Sequence, residues 1–145
     1  MISTREIIQA LTQKPVTGKD LVITEAVIDS RKAIPGSLFV ALEGEQTDGH
    51  RFIQAAFDKG AQVALIHKEV DNSLRVIDIR QTNSIREISL PEPPFCIRVE
   101  DSLKALQEVA RFWRDKLDLR VVGITGSVGK SSTKELTAEV LSRRF

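Results

Sequence analysis

Val121-Val122-Gly123-Ile124-Thr125-Gly126-Ser127-Val128-Gly129-Lys130-Ser131-Ser132 sets an apolar, β-branched run directly against a glycine-rich turn, a lysine and two hydroxyls. The run from Arg120 to Thr125 reads as a buried strand, Gly126 to Lys130 as a tight loop, and Ser131 to Arg144 as a helix. A loop opening a helix aims unpaired backbone N–H groups outward, and the helix dipole adds positive potential, so phosphate oxygens are favoured there. Gly126 and Gly129 let the backbone curl close to such an anion. Lys130 would bring a mobile charge to the outer phosphates, and Ser131 a hydroxyl oxygen to Mg²⁺, with Ser127, Val128 and Ser132 completing a phosphate cradle. Each charge-assisted contact is worth about 1.5–3 kcal/mol. The general P-loop pattern is not met to the letter, because Ile124 stands where its first glycine belongs. The competing explanation is an ordinary strand-to-helix turn with an exposed lysine.

Upstream of that unit the signals alternate between helix and strand. Ser3 with Glu6 forms a capping-box pattern, and Ile7, Ile8 and Leu11 recur at helical spacing until Pro15 and Gly18. Leu21 to Ile28 and Ser37 to Leu42 read as two strands around a Pro35-Gly36 turn, joined by a loop that holds Asp29, Ser30 and Arg31. Phe52, Ala55, Ala56 and Lys59 fit a helix closed by Gly60, and Gln62 to His67 a buried strand. Leu74 to Ile79 is a further strand candidate, followed by a polar stretch and then Pro91, Pro93 and Pro94, which favour extended chain. Asp101 is a good N-cap for a helix to about Leu117, with Leu103, Leu106, Val109, Ala110 and Trp113 on one face. Trp113 at that spacing is core, with ligand stacking as the alternative. The whole reads as an α/β fold in two units, 1–100 and 101–145.

Composition excludes several classes. The chain has 145 residues, with 21 Lys+Arg against 20 Asp+Glu and a net charge of +1, so it has no field to gather nucleic acid or an anionic membrane. The length cannot hold two complete catalytic domains. MISTREIIQALTQ lacks the uninterrupted apolar core of a signal peptide and no run reaches membrane-spanning length, so the expectation is a soluble, cytoplasmic protein. Cys96 is the single cysteine, excluding an internal disulfide, and reads as a small buried residue. His50 and His67 show no metal-ligand constellation and read as satisfied or exposed imidazoles.

The segment from Gly123 to Ser132 resembles the ATP-binding loop of the Mur ligases. Asp29-Ser30-Arg31-Lys32, Pro35-Gly36-Ser37-Leu38-Phe39-Val40-Ala41-Leu42, Gly44 and Asp48-Gly49-His50 are similar to the N-terminal uridine-nucleotide domain of that family's MurE and MurF types. Thr133-Lys134-Glu135 is closer to the MurF type, which adds D-Ala-D-Ala to UDP-N-acetylmuramoyl tripeptide, than to the MurE type, which adds the third amino acid. The family loop differs at Val128, where asparagine is frequent, and at Ser131, where threonine is common. The resemblance implies peptidoglycan-precursor ligation through an acyl phosphate, with ATP and Mg²⁺. It also implies that Ile28, Ser30, Arg31 and the Glu45-Gln46-Thr47 segment meet the UDP-muramoyl peptide. Ser30 and Asp48 have local turn capping as the alternative, and Arg31 a bridge between strands through a buried carboxylate.

The family's downstream metal-binding acid, carbamylated lysine and C-terminal domain have no counterpart before Phe145, so these residues alone are expected to be inactive. The competing readings are a UDP-sugar-binding module without turnover, a MurE-type ligase, and an unrelated P-loop NTPase or kinase. Val121, Val122 and Ile124 form a strand of the sort buried on both faces in parallel sheets. Without neighbouring strands it is expected to pack against the first unit or a second chain, or to be disordered.

Overall fold

Three central strands of one parallel sheet are short, apolar and bounded by turns, and their side chains alternate between two cores. The computed structural model describes residues 1–81 and 86–144. In chain order the elements are β1 (Ile2–Ser3), α1 (Thr4–Thr12), β2 (Val16–Thr17), β3 (Val22–Ile23), β4 (Ala26–Val27) and β5 (Leu38–Val40). They continue with α2 (Ile53–Asp58), β6 (Val63–Ile66), β7 (Val76–Asp78), β8 (Ile88–Ser89), β9 (Phe95–Arg98), α3 (Ser102–Asp115) and α4 (Lys130–Ser142). Among the described residues the main sheet runs β4-β5-β6-β9-β7, with every neighbouring pair parallel.

Because successive side chains of a strand point to opposite faces, each strand feeds two cores. Leu38, Val40, Val63, Leu65, Phe95 and Ile97 pack on one face with Ile7 and Ile8 of α1 and Ala105 and Val109 of α3. Phe39, Ala41, Ala64, Ile66 and Cys96 pack on the other with Ile53, Ala56 and Phe57 of α2. Burial pushes the Cys96 thiol up to about 12, which leaves it protonated and inert. The α/β layering expected from the sequence is therefore present. The helix assigned to the second unit sits on the first unit's core instead, because Ser102 and Ala105 are small enough to bring α3 close to the sheet.

Helix ends follow local chemistry. Ser3 Oγ accepts from the Glu6 amide at 3.3 Å while the Glu6 carboxylate accepts from the Ser3 amide at 2.9 Å, so the capping box is formed. Asp101 caps α3 by accepting from the Leu103 and Lys104 amides. On α3, Leu103 and Ala110 face solvent and Trp113 is half-buried, so the buried stripe is narrower than the spacing implies.

Three sequence expectations are revised. Leu21 to Ile28 is not one strand but β3 and β4, because the chain changes partner: Ile23 pairs with Ile2, whereas Ala26 pairs with Leu38. The stretch after Leu74 also holds β8, which pairs parallel to β2; the middle of its polar part, 82–85, lies outside the described residues, as does Phe145. Finally, Arg120 to Thr125 forms no strand. Among the described residues nothing supplies it with a ladder partner, and Val121 and Val122 are 69% and 63% exposed. No described helix is long and apolar enough to cross a membrane.

Candidate functional site

Parallel strands place their carboxyl ends, and the loops that leave them, on one edge of the sheet, where ligands of open α/β sheets bind. At that edge β4 runs into Ile28 and a 3-10 turn, Ser30–Lys32, while β5 runs into Leu42 and a rim that returns at Gly49. Between them lies a cleft of about 850 Å³ lined by Ile28, Asp29, Ser30, Arg31, Thr47 and Phe52, with Phe39, Leu42, Glu43, Gly44, Gly49 and Ala55 completing it. Its floor is apolar and its mouth polar, a combination suited to an amphipathic ligand such as a nucleotide.

Each sequence-predicted residue of this site has a definite place. Ile28 and Ser30 line the cleft, and among the described residues no protein group bonds the Ser30 hydroxyl, so capping is not its role. Asp29 does the capping: its Oδ1 accepts from the Arg31 amide at 3.0 Å. Arg31 also lines the cleft, but it pairs side-on with Asp29 at 2.8 Å and its side chain is 84% exposed. The buried inter-strand bridge considered for Arg31 is therefore absent. The guanidinium holds the Asp29 carboxyl down at about 2. Lys59 of α2's C-terminal cap donates to the Arg31 carbonyl at 3.0 Å, tying this turn to α2. Thr47 lines the cleft, whereas Glu45 and Gln46 sit exposed at the tip of the rim and are not part of its wall.

The rim is a tight loop. Glu43 bridges Asp48, the Gly44 amide donates to the Thr47 carbonyl at 2.9 Å, and the Gly49 amide to the Leu42 carbonyl at 2.8 Å. Gly49 has no room for a side chain, because a Cβ there would lie 2.8 Å from both the nitrogen and the oxygen of Leu42. Asp48 caps the following 3-10 turn, Gly49–Phe52, through the His50 amide, so its capping alternative holds. It also takes a 2.7 Å ion pair from Lys68 and a 2.6 Å contact from His50 Nδ1. Lys68 foremost, then the His50 amide and ring, hold the Asp48 carboxyl well below the usual carboxylate range.

Sequence reasoning did not identify Phe52, Glu43 and Lys68 as part of the site, and it gave Asp29 a place in the loop without a role. Phe52 was read as a helix face residue, yet it precedes α2 and is 41% exposed over the cleft. Its position beside Asp48-Gly49-His50 is the one local signal that could have drawn attention to it. Lys68 reaches the rim from the end of β6, a contact 20 residues apart in sequence that no local pattern announces.

The second candidate region is the loop before α4. Gly126 and Gly129 have φ of 147° and 80°, the latter in the left-handed region that favours glycine, and a Cβ on Gly129 would meet nothing. Gly129 is the N-cap of α4 and provides no side-chain cap, so the first amides of Lys130, Ser131 and Ser132 are left to an external acceptor. The Lys130 ammonium folds back onto the Gly126 carbonyl. Lys130 and Ser131 line a shallow depression with Val122, Ile124 and Lys134. Two lysines and uncapped helix amides suit a polyphosphate, and the Ser131 hydroxyl is a hard oxygen of the type Mg²⁺ takes beside phosphate oxygens and water. Ser127 and Val128 form the exposed crest of the loop. Among the described residues there is no cluster of His, Cys, Asp and Glu able to hold a metal by itself.

The family described as Mur ligase family, catalytic domain, matches residues 22–114. The chain is 37% identical over 125 residues to the UDP-N-acetylmuramoyl-tripeptide–D-alanyl-D-alanine ligase of Synechocystis, covering 86% of this chain and 24% of that protein. It is 38% identical over 116 residues to the UDP-N-acetylmuramoyl-L-alanyl-D-glutamate–2,6-diaminopimelate ligase of Chlorobium phaeobacteroides, covering 79% of this chain and 20% of that protein. Among solved structures, MurF from Acinetobacter baumannii superposes with a TM-score of 0.67 at 28% identity, over 97% of this chain and 28% of its own. MurF from Thermotoga maritima in complex with ADP gives 0.61 at 30% identity, over 88% of this chain and 25% of its own. The chain thus spans about a quarter of the length of the relatives it matches.

Proposed function

The chain belongs to the Mur ligase family, and we propose that it provides the uridine-nucleotide cleft and the ATP loop of a ligase that joins D-Ala-D-Ala to UDP-N-acetylmuramoyl tripeptide. The observation that carries this reading is the convergence of Ile28, Ser30, Arg31 and Thr47 on one cleft at the carboxyl ends of β4 and β5. In it, Ser30 donates to a diphosphate or uracil oxygen, Ile28 presents its backbone to the base edge, and Arg31 faces the anionic portion. Glu45 and Gln46 form the rim's outer tip. This recognising unit is 1–100 with α3 docked on it, and the ATP-binding unit begins after it.

At the second region, Gly126, Ser127, Val128, Gly129 and Ser132 cradle ATP phosphates through the backbone, Lys130 neutralises charge on them, and Ser131 holds Mg²⁺ by its hydroxyl. ATP supplies the activation of the substrate carboxylate for attack by the acceptor amine, with Mg²⁺ dispersing phosphate charge. The residues here bind, orient and neutralise, which is the greater part of what phosphoryl transfer asks of a protein. We assign turnover to a protein of the relatives' full length, acting in the cytoplasm in peptidoglycan-precursor and cell-wall synthesis, and binding alone to these 145 residues. The exposed Val121 and Val122 are covered there by a strand of the same chain, or otherwise by a second copy.

Calorimetric titration with UDP tests the cleft. Binding is expected, and Ser30→Ala should weaken it by roughly threefold to tenfold, the worth of one neutral hydrogen bond. No heat with UDP at any ligand concentration would end the uridine-nucleotide reading. Assay of the full-length protein with D-Ala-D-Ala against diaminopimelate as acceptor then separates the MurF from the MurE reaction, the second being favoured by the Chlorobium relative.

A further inference from the structure

His50 lies behind the cleft rather than in it, and its surroundings fix its protonation state. Its side chain is only 6% exposed. Nε2 accepts from the His67 amide at 3.1 Å and lies 3.4 Å from the Lys68 amide. An imidazole nitrogen that accepts from a backbone N–H carries no proton, so the neutral ring must hold its proton on Nδ1, which faces Asp48 Oδ1 at 2.6 Å. The ring of His67 stands against it edge to face, with centroids 4.5 Å apart, and His67 in turn meets the buried Ser102 hydroxyl at 2.9 Å. Lys68 closes the arrangement by pairing with both Glu43 and Asp48, the two feet of the rim.

We propose that His50 is a positioning residue for the cleft: its neutral ring pins the rim, 43–49, to the end of β6, and its protonation loosens the rim and weakens nucleotide binding. A proton on Nε2 would set one N–H donor against another, the His67 amide. The rim would then lose the His50 link to the end of β6 and be held there by the Lys68 pairs with Glu43 and Asp48 alone. Glu43, Gly44, Thr47 and Gly49, which line the cleft, would lose their fixed position.

The groups that face His50 agree with this direction. Its own turn brings Asp48 and Arg51; the end of β6 brings His67, Lys68 and Glu69; Lys68 links Glu43; and Asp101 at the start of α3 lies behind His67. Burial outweighs the attraction of Asp48, so the ring's affinity for a proton falls below that of an ordinary imidazole. A depressed folded value means that the neutral form's contribution is complete above the unfolded value, about 6.5, and is lost as pH falls through the lower folded one.

The inference rests on the uridine-nucleotide reading of the cleft for its binding readout, but not for its rim readout. Nitrogen-15 imidazole spectra of the 145-residue chain at pH 7.5 should show His50 protonated on Nδ1 alone. Amide protection at Gly44 and Gly49, corrected for intrinsic exchange, should drop about tenfold from pH 7.5 to 5.5. UDP affinity should fall about fivefold over the same interval. His50→Gln keeps a distal acceptor and cannot charge, so the rim profile should flatten and the UDP profile should reduce to that of the ligand's own terminal phosphate, whose second pKa is about 6. A proton on Nε2 at pH 7.5, or rim protection that ignores both pH and His50→Gln, would overturn the proposal. A rim that responds in a protein that binds no UDP keeps the clamp and removes the ligand reading instead.

Discussion

Val63-Ala64-Leu65-Ile66 and Val121-Val122-Gly123-Ile124 are nearly the same kind of sequence, yet they end in opposite situations. The first is β6, hydrogen-bonded on both sides by β5 and β9 and buried along its whole length. The second has no ladder partner among the described residues, and its valines stand in solvent. Apolar, β-branched composition marks a segment as suited to a sheet interior, but the strand exists only when neighbours satisfy its backbone. The five-stranded sheet carries β6's neighbours with it; the loop before α4 is presented by α4 and its glycines alone.

Substitution should make that contrast quantitative. Phe39→Ala empties a site that is fully buried between the sheet and α2 and should cost about 3–5 kcal/mol in urea unfolding. Val121→Ala should change stability by no more than about 0.5 kcal/mol. Equal losses from the two would mean that 121–124 is buried in solution and that the contrast is false.

The two regions should also separate in ligand binding. Lys130→Ala removes a charge-assisted contact worth about 1.5–3 kcal/mol and should weaken ATP binding by at least about tenfold, measured by calorimetry. Because Lys130 is exposed, its loss should leave the melting temperature and the UDP affinity unchanged. Coupling between the UDP and ATP titrations in this variant would show that the regions are not independent.

Much of this was legible because it is local. The capping box at Ser3 and Glu6, the N-cap at Asp101 and the buried strand at Gln62 to His67 each depend on residues within a turn or a strand of one another. So does the start of α4, read from the sequence at Ser131 and found one residue earlier, at Lys130. The cleft was legible in part: Ile28, Ser30, Arg31 and Thr47 came from a family pattern, whereas Phe52 and Lys68 arrive through tertiary packing. The split of Leu21 to Ile28 could not be seen, because both halves are good strand sequence and only the change of partner at Thr24 and Glu25 divides them. Two-residue strands such as β2 and β8 leave no periodicity to read.

Beside the sheet, the rim offers a finer comparison. Gly49→Ala forces a methyl group against the Leu42 backbone, which cannot yield as a side-chain end can, and should destabilise by about 1–3 kcal/mol. The same variant should lose protection at Gly44, since the Gly49 amide bond to Leu42 closes the loop. Protection at Gly44 that survives the substitution would show that the rim is held by Lys68 and His50 alone.

The smallest effect separates the two sides of the cleft by pH. Asp29 is held at about 2, first by the Arg31 side chain and then by the Arg31 amide. Its folded value lies below the ordinary carboxylate value of about 3.9, so the pair's contribution is complete above that pH and disappears as pH falls through about 2. Carboxyl carbon-13 titration should place Asp29 there, and Arg31→Ala should return it toward the ordinary value. Since the pair is exposed, global stability should barely register the change. Asp29 is consequently ionised throughout the interval from pH 5.5 to 7.5. The part of a change in UDP affinity within that interval that His50→Gln removes therefore belongs to the His50 side of the rim, and its persistence in Arg31→Ala would exclude the Asp29 side as its source.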